Sequence, residues 1–427
     1  MVKQTTRDRE SSSIIWNNLE TMVRMKVREF IQSLLEAEIE ELLGRQKSER
    51  RKPVDSPPIY RNGYGKARRL TLGCGTITIH RPRVRGLEKR FISQILPLFA
   101  RRTPEVNQLL PQLYLHGLAL GDFDLALRGL LGREAPISAG TVVRLKEKWQ
   151  VEWEQWRKRS LSGLKVVYLW VDGIYVKAGL EKEKAALLVV IGGLSNGQKV
   201  ILGIEPGYRE SVEGWSGILR DLKERGMNPP RLVIGDGHLG IWGALNNVYP
   251  GVLEQRCWNH KVMNVLDRLP KKAQVQGKLG LQRIYNAKSR REAENERDNF
   301  TSWCKKGCHQ AAMEAIERDW ERMVTFYQFP QEHWKHLRTT NIVESPFAGL
   351  RLRTQASKRY KKVANATAII WKMLMVAEQR FRKLDGPEKL EQVYLGTEFK
   401  DGVEIISPLN IEMIGERSKQ EEVLAIA

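Results

Sequence analysis

Apolar residues return at three- and four-residue steps from Leu19 to Leu42, through Val23, Val27, Ile31, Leu34, Leu35 and Ile39. The spacing predicts one amphipathic helix over residues 14–43, and Gly44 stands where a helix stop is expected. A stripe of that length must pack on something, and a second copy of the chain is one candidate. RQKSERRKPVDSPP (45–58) then brings charge and proline and reads as a linker, so residues 1–58 form a first region. From residue 59 the period changes to two. LTLGCGTITIHRPRVRG alternates as a hairpin or three-stranded element does and ends in Arg81, Arg83 and Arg85. This predicts a small basic β-rich element over 59–103, whose arginines either lie along phosphates or keep a solvated edge strand from aggregating.

Helical spacing resumes over 104–160, in LLPQLYLHGLAL, in FDLALRGLLG, and in a long helix after Pro136 with Ser138 as a plausible N-cap. A short helix, a glycine-containing turn and a capped helix bearing Thr141 and Arg144 near its start give the outline of a helix-turn-helix. A bundle built only for packing gives the same outline. Residues 161–269 alternate strands with helices. LKVVYLWVDGIYVKAG, EKAALLVVIGGL and QKVILGIEPG are strands, with SNG turning between the second and third. SVEGWSGILRDLKERG is a helix with Ser211 as N-cap and Gly226 as its glycine stop. PPRLVIGDG is a short apolar strand, followed by the helix HLGIWGALNNVYPG and the word VLEQRCWNHKVMNVLDRLP. Three strands, then strand and helix in turn, predict the α/β class: a mixed sheet covered by helices. Residues 270–338 are helical, charged and tryptophan-bearing (Trp303, Trp320, Trp334). Residues 339–385 return to strong helical patterns, and 386–427 read as a peripheral tail.

Composition narrows the function classes. A formal net charge of +21 over 427 residues suggests a polyanionic partner, most often nucleic acid. Four cysteines in a chain this long do not make a disulfide framework. The longest apolar runs, such as AALLVVIGGL, are half of a membrane span. The N-terminal MVKQTTRDRESSS is polar, unlike a secretory signal. A cytoplasmic, nucleoid-associated protein with no membrane partner is expected.

The candidate chemistry begins with Asp172, set between Trp170-Val171 and Ile174-Tyr175-Val176 in an apolar strand. An isolated carboxylate there is costly, so a basic partner, a proton or a metal ion must offset its charge. Asp236 ends a second apolar strand, where ligand sites of α/β sheets lie, between two glycines that permit close backbone approach. A helix N-cap would also place an aspartate there. Glu344 sits near a helix start with Arg351 seven residues on and Arg353 beyond, an acid and a base on one helix face. A solvated ion pair gives the same pattern. Cys257 and His260, spaced Cys-x-x-His, together with Cys304 and Cys308, hold a zinc-like donor inventory, though with unusual spacing. His238, two residues after Asp236, is a candidate for supporting a carboxylate from behind.

The order Asp172, Asp236, Glu344 resembles the Mutator-type DDE transposases of bacterial insertion sequences. The words VDGIYVKA, GGLSNGQKVILG, ESVEGW, LKERG, GDGHLG, RCWNHKVMNVLDRLP, and TTNIVES with RLRT carry the resemblance over roughly residues 60–385. It implies an RNase H-like core over 161–269 and 339–385, interrupted by an all-helical insertion at 270–338. It implies that the three acids meet and hold two Mg2+ or Mn2+ ions, which suits hard oxygen donors. It further implies cleavage at element ends and strand transfer into target DNA, with the terminal inverted repeats bound by a homodimer or higher assembly. In that setting His238, Cys257 and His260 lie near the acids, and Arg81, Arg83, Arg144, Arg351 and Arg353 contact DNA. A tryptophan of 270–338 either belongs to a core or stacks on an extruded base. A nuclease or resolvase without strand transfer, and a DNA-binding regulator with an inactive core, are the rival readings.

Overall fold

The computed structural model describes residues 6–50, 59–119, 121–132, 139–179, 184–207, 210–237 and 239–405. The expected N-cap Ser138 and the candidate His238 lie outside the described residues. The chain divides into two compact units, Met1–Leu145 and Lys146–Ala427. Among the described residues no helix is long and apolar enough to cross a membrane.

In the first unit, α1 (Thr6–Leu43) is followed by β1 (Tyr60–Tyr64), β2 (Arg68–Leu72), β3 (Gly75–Ile79) and β4 (Pro82–Arg85). The apolar stripe of α1 has two fates. Its later positions Leu35, Ile39 and Leu43 are buried against Leu70, Ile77, Ile79 and Ile59. Its earlier apolar positions, including Leu19 and Val23, remain exposed. The strands form neither a single hairpin nor a three-stranded sheet. β2 pairs with β3 across a tight turn, Leu72 facing Gly75, and β1 reaches past both to pair with β4. The nesting is tied to α1 by Gln32, whose amide bonds both backbone groups of His80. The remaining helices are α2 (Pro104–Leu115), α3 (Asp122–Leu131) and α4 (Ala139–Trp156), the last running on past the end of this unit.

The second unit is built on β5 (Val166–Val176), β6 (Ala185–Leu194), β7 (Lys199–Gly207), β8 (Leu232–Gly235) and β9 (Leu253–Arg256), in the order β7-β6-β5-β8-β9. The first three strands are antiparallel; β8 and β9 run parallel to β5. Burial on both faces explains why β5 reads as an unbroken apolar run rather than an alternation. Leu169 and Val171 join the core made with α5 (Val212–Glu224) and α6 (Leu239–Val248), through Trp215, Leu219, Ile241 and Leu245. On the opposite face the Tyr168 hydroxyl is 2.8 Å from His333 Nδ1, and the Trp170 indole N–H donates to the His336 carbonyl at 2.8 Å. Ser211 caps α5, its Oγ accepting from the Gly214 N–H at 3.1 Å, and Gly226 follows the helix with φ +93°.

After α7 (Trp258–Leu266), residues 271–337 contain helices and turns and no strand: α8 (Lys271–Tyr285), α9 (Arg290–Lys306), α10 (Gln310–Glu317), α11 (Trp320–Val324) and α12 (Trp334–Leu337). Their tryptophans are mainly core. Trp320 and Trp334 are buried, and Trp320 meets Trp258 edge to face at 6.4 Å. Then come α13 (Asn341–Glu344), α14 (Phe347–Ser357), α15 (Val363–Glu378), α16 (Pro387–Leu395) and the short pair β10 (Phe399–Lys400) and β11 (Val403–Glu404). The segment after 385 is not a loose tail as far as it is described. Leu390 and Val393 are buried, and Arg231 donates to the Tyr394 carbonyl at 2.7 Å.

Candidate active site

The parallel register of β5 and β8 sets the site. Trp170 stands opposite Ile234, so Asp172 and Asp236, each two residues further on, come level beyond the parallel pairing. Asp236 lies three residues before the first residue of α6. Gly237 after it has φ +97°, a conformation that glycine adopts without steric cost. A third carboxylate joins them. Side-chain oxygens of Asp172, Glu210 and Asp236 all lie within 4.8 Å of one another. Glu210 precedes the cap of α5, is 9% exposed, and accepts the Tyr175 hydroxyl at 2.9 Å. Sequence reasoning did not single it out. It stands in the ESVEGW word, but nothing local tells a glutamate facing a carboxylate pair from one beside a helix start.

Glu344 approaches from α13. Its Oε1 accepts the Thr340 hydroxyl and lies 3.9 Å from His260 Nδ1. Donor atoms of Cys257, His260 and Glu344 fall within 4.8 Å of one another. The RCWNH word makes this meeting possible. The Cys257 N–H donates to the Gly235 carbonyl at 2.7 Å, and the Trp258 N–H to the Arg338 carbonyl at 2.8 Å. The Thr340 N–H donates to Cys257 Sγ at 3.3 Å. The start of α7 thus fastens the segment leading into α13 to the end of β8. Cys304 is buried and Cys308 exposed, and neither belongs to a group of possible metal ligands among the described residues; all four cysteines are free.

The charges are mutually strained. Two carboxylates at this separation repel by about 3 kcal/mol at an effective dielectric constant of ~20. Burial pushes the Asp172 carboxyl up to about 7, against the Gly173 N–H that donates to it at 2.8 Å; the carboxylates of Glu210, Glu344 and Asp236 push the same way as burial. His260 is pushed up to about 9, first by the Cys257 sulfur and also by Glu344 and Asp236, against burial. The direction of that shift favours the cationic imidazole beside Glu344.

The arginines divide. Pro346, which has no N–H, separates α13 from α14, so Glu344 and Arg351 stand on successive helices rather than one face. Arg351 is exposed. Arg353 is 2% exposed, and its guanidinium donates to Ser357 Oγ at 2.9 Å and 3.1 Å. In the first unit Arg81 and Arg83 line a cavity with Arg68, Arg90 and Arg101, and among the described residues no acidic one lines it. Arg144 lies in the same unit, exposed on α4.

Compared with families of known proteins, residues 2–383 match the model described as "Transposase, Mutator family". The chain belongs to the Mutator family of transposases, and so to the enzymes that process DNA in transposition. It is 42% identical over 306 residues to the transposase for insertion sequence element IS6120 of Mycolicibacterium smegmatis, covering 72% of this chain and 94% of that protein. Identity to the transposase for insertion sequence element IST2 of Acidithiobacillus ferrooxidans is 39% over 280 residues, 65% of this chain and 94% of the relative. The transposase for insertion sequence element ISRM5 of Rhizobium meliloti is 28% identical over 354 residues, 82% of this chain and 85% of that one.

Proposed function

We propose that this transposase cleaves DNA at the ends of an insertion sequence and joins the freed ends to a target, using Asp172, Asp236 and Glu344 as its catalytic acids. The observation that carries the reading is the level placement of Asp172 and Asp236 on adjacent parallel strands, with Glu344 close enough to act on Asp172 electrostatically. The five-stranded order supports an RNase H-like core made from 161–269 and 339–385, and the strand-free run supports an all-helical insertion at 270–338. The basic cavity supports contact with DNA by the 59–103 element, with 1–58 and 104–160 completing an end-binding part. A homodimer or larger assembly suits a task that joins two ends, and the exposed apolar positions of α1 are consistent with it. The protein acts on nucleoid DNA in the cytoplasm.

The donor set suits a divalent metal. The acids offer only hard oxygen atoms, as Mg2+ and Mn2+ prefer, and their crowding calls for a cation. Asp172, Asp236 and Glu344 would hold two such ions, whose chemistry is Lewis-acid stabilisation of the attacking and leaving oxygens in an in-line displacement. The chain's own residues do the rest. His260 orients Glu344 as a neighbouring cation, and exposed Arg351 offers a guanidinium to a phosphate. In the first reaction water attacks the phosphodiester at the element's end. In the second the freed 3′-hydroxyl attacks a phosphodiester of the target strand, and the new P–O bond forms as the target's own 3′-oxygen leaves.

The test is a labelled duplex bearing the element's terminal repeat, incubated with the full chain in Mg2+ or EDTA, beside a scrambled duplex. Metal-dependent nicking at the terminus and joining to plasmid are expected, both lost in Asp172→Asn and Asp236→Asn. Full strand transfer by Asp172→Asn would overturn the assignment.

A further inference from the structure

Glu210 lies outside the Asp172, Asp236, Glu344 order, yet it shares the space of the two aspartates. Its backbone is closely approached by one glycine, and its carboxylate fills the space left by another. The start of α6 passes so near that a Cβ on Gly240 would stand 2.1 Å from the Glu210 carbonyl oxygen. On the strand side, a Cβ on Gly173 would stand 2.5 Å from Glu210 Oε1. Only a residue without a side chain at 173 lets this carboxylate lie over the strand beside Asp172. Tyr175, two residues along β5, donates its hydroxyl to the same oxygen and orients the group.

A glutamate that served only Tyr175, or only the positive end of α5, would gain from facing solvent and would lose by burial beside two carboxylates. The Glu210 backbone is fixed by the approach of Gly240, and the missing Cβ at Gly173 leaves the space that its carboxylate fills. The pairing is also selective. Glu344 has its own neighbours, Thr340, Cys257 and His260, while Glu210 shares the space of the two strand aspartates.

We propose that Glu210 is a further metal-facing carboxylate of the transposase site, a direct partner of Asp172 and Asp236 toward a divalent cation, with Glu344 closing the site from the α13 side. This rests on the reading of Asp172 and Asp236 as metal-holding residues. Glu210 then supplies the donor that the α5 side of the site lacks in the three-acid order. Gly173 is a positioning residue acting through Glu210.

The experiment measures Mn2+ binding to the full-length protein by titration calorimetry and by the loss of free-ion paramagnetic resonance signal, without DNA. Asp172→Asn sets the response of the site. Glu210→Gln, nearly isosteric, is expected to weaken Mn2+ binding at least tenfold while metal-free thermal unfolding stays at or above that of the unmodified chain. Gly173→Ala keeps every acid but places a methyl group where Glu210 Oε1 lies, and is expected to weaken binding comparably. In the Gly173→Ala/Glu210→Gln double variant the losses should not add, because both act through one carboxylate. If Asp172→Asn abolishes binding while Glu210→Gln stays within twofold of the unmodified protein, the role of Glu210 is overturned and the reading of the aspartates survives. If Asp172→Asn also leaves Mn2+ binding intact, the metal reading falls with it. Additive losses in the double variant would overturn the positioning role of Gly173.

Discussion

Replacing Asp172 with asparagine should make the metal-free protein more stable, and only where the carboxyl would be ionised. In the fold its carboxyl is pushed up to about 7, chiefly by burial and then by the neighbouring acids, whereas an unfolded aspartate titrates near ~4. Between these values the folded state binds the extra proton, so stability falls as pH rises from ~4 through about 7 and the full penalty is present above that. The difference corresponds to about 4 kcal/mol at most, and to about 2 kcal/mol once relaxation and partial solvent access are allowed for. For a unit of this size that is a rise in Tm of roughly 4–8 °C. The assay is thermal unfolding of the unmodified chain and Asp172→Asn in EDTA, at pH 8 and at pH 4. The variant should melt higher at pH 8 and within about 1 °C of the unmodified protein at pH 4, by the same linkage. Mg2+ should raise the melting temperature of the unmodified chain at pH 8 and leave the variant unmoved. A gain of equal size at both pH values, or none at pH 8, would refute the claim that crowded charge is what strains this site.

The opposite sign holds for His260, whose folded value of about 9 lies above the ordinary imidazole value; the stability it gives is present below ~6.5 and lost as pH rises through about 9. His260→Gln should therefore lower Tm at pH 6 and have little effect at pH 10, and an equal loss at both would count against a cationic imidazole beside Glu344. Arg353→Ala should cost on the order of 2 kcal/mol in urea unfolding, because it removes a buried guanidinium and leaves the Ser357 hydroxyl without the two bonds it accepts. Arg351→Ala should leave unfolding unchanged and weaken binding to DNA; the reverse pattern would sink this division. Arg81→Ala with Arg83→Ala should lower affinity alike for terminal-repeat and scrambled duplexes, and reduce the slope of log K against log salt by about 0.9 for each phosphate no longer neutralised. An unchanged slope would place the DNA-binding surface elsewhere.

Much of the local structure was legible because it depends on neighbours in sequence. The α1 stripe, the Ser211 cap with its Gly226 stop, the apolar strands of β5 to β8 and the helical run to Trp334 all follow from periodicity and cap chemistry within a few residues. The aspartates stood out for the same reason, since a carboxylate in or after an apolar strand contradicts its own surroundings. The nested pairing of β1 with β4 was not legible, because LTLGCGTITI specifies only its own turn and leaves open what its flanking segments pair with. The fate of Arg353 was equally hidden. Two arginines spaced by one residue on α14 look alike in sequence, and only the packing of that helix buries one and exposes the other.

The candidate site shows where the boundary falls. Sequence alone determined the residue types, the strand ends and the family resemblance, and so which acids to suspect. Tertiary structure decided the company each acid keeps. The β5–β8 register brings Asp172 level with Asp236, the start of α7 fastens the approach to Glu344, and glycines at 173 and 240 admit Glu210 over the strand. Those relations depend on distances between segments far apart in the chain. Local propensity carries no information about such distances; they are set only when strands pair and helices close on them.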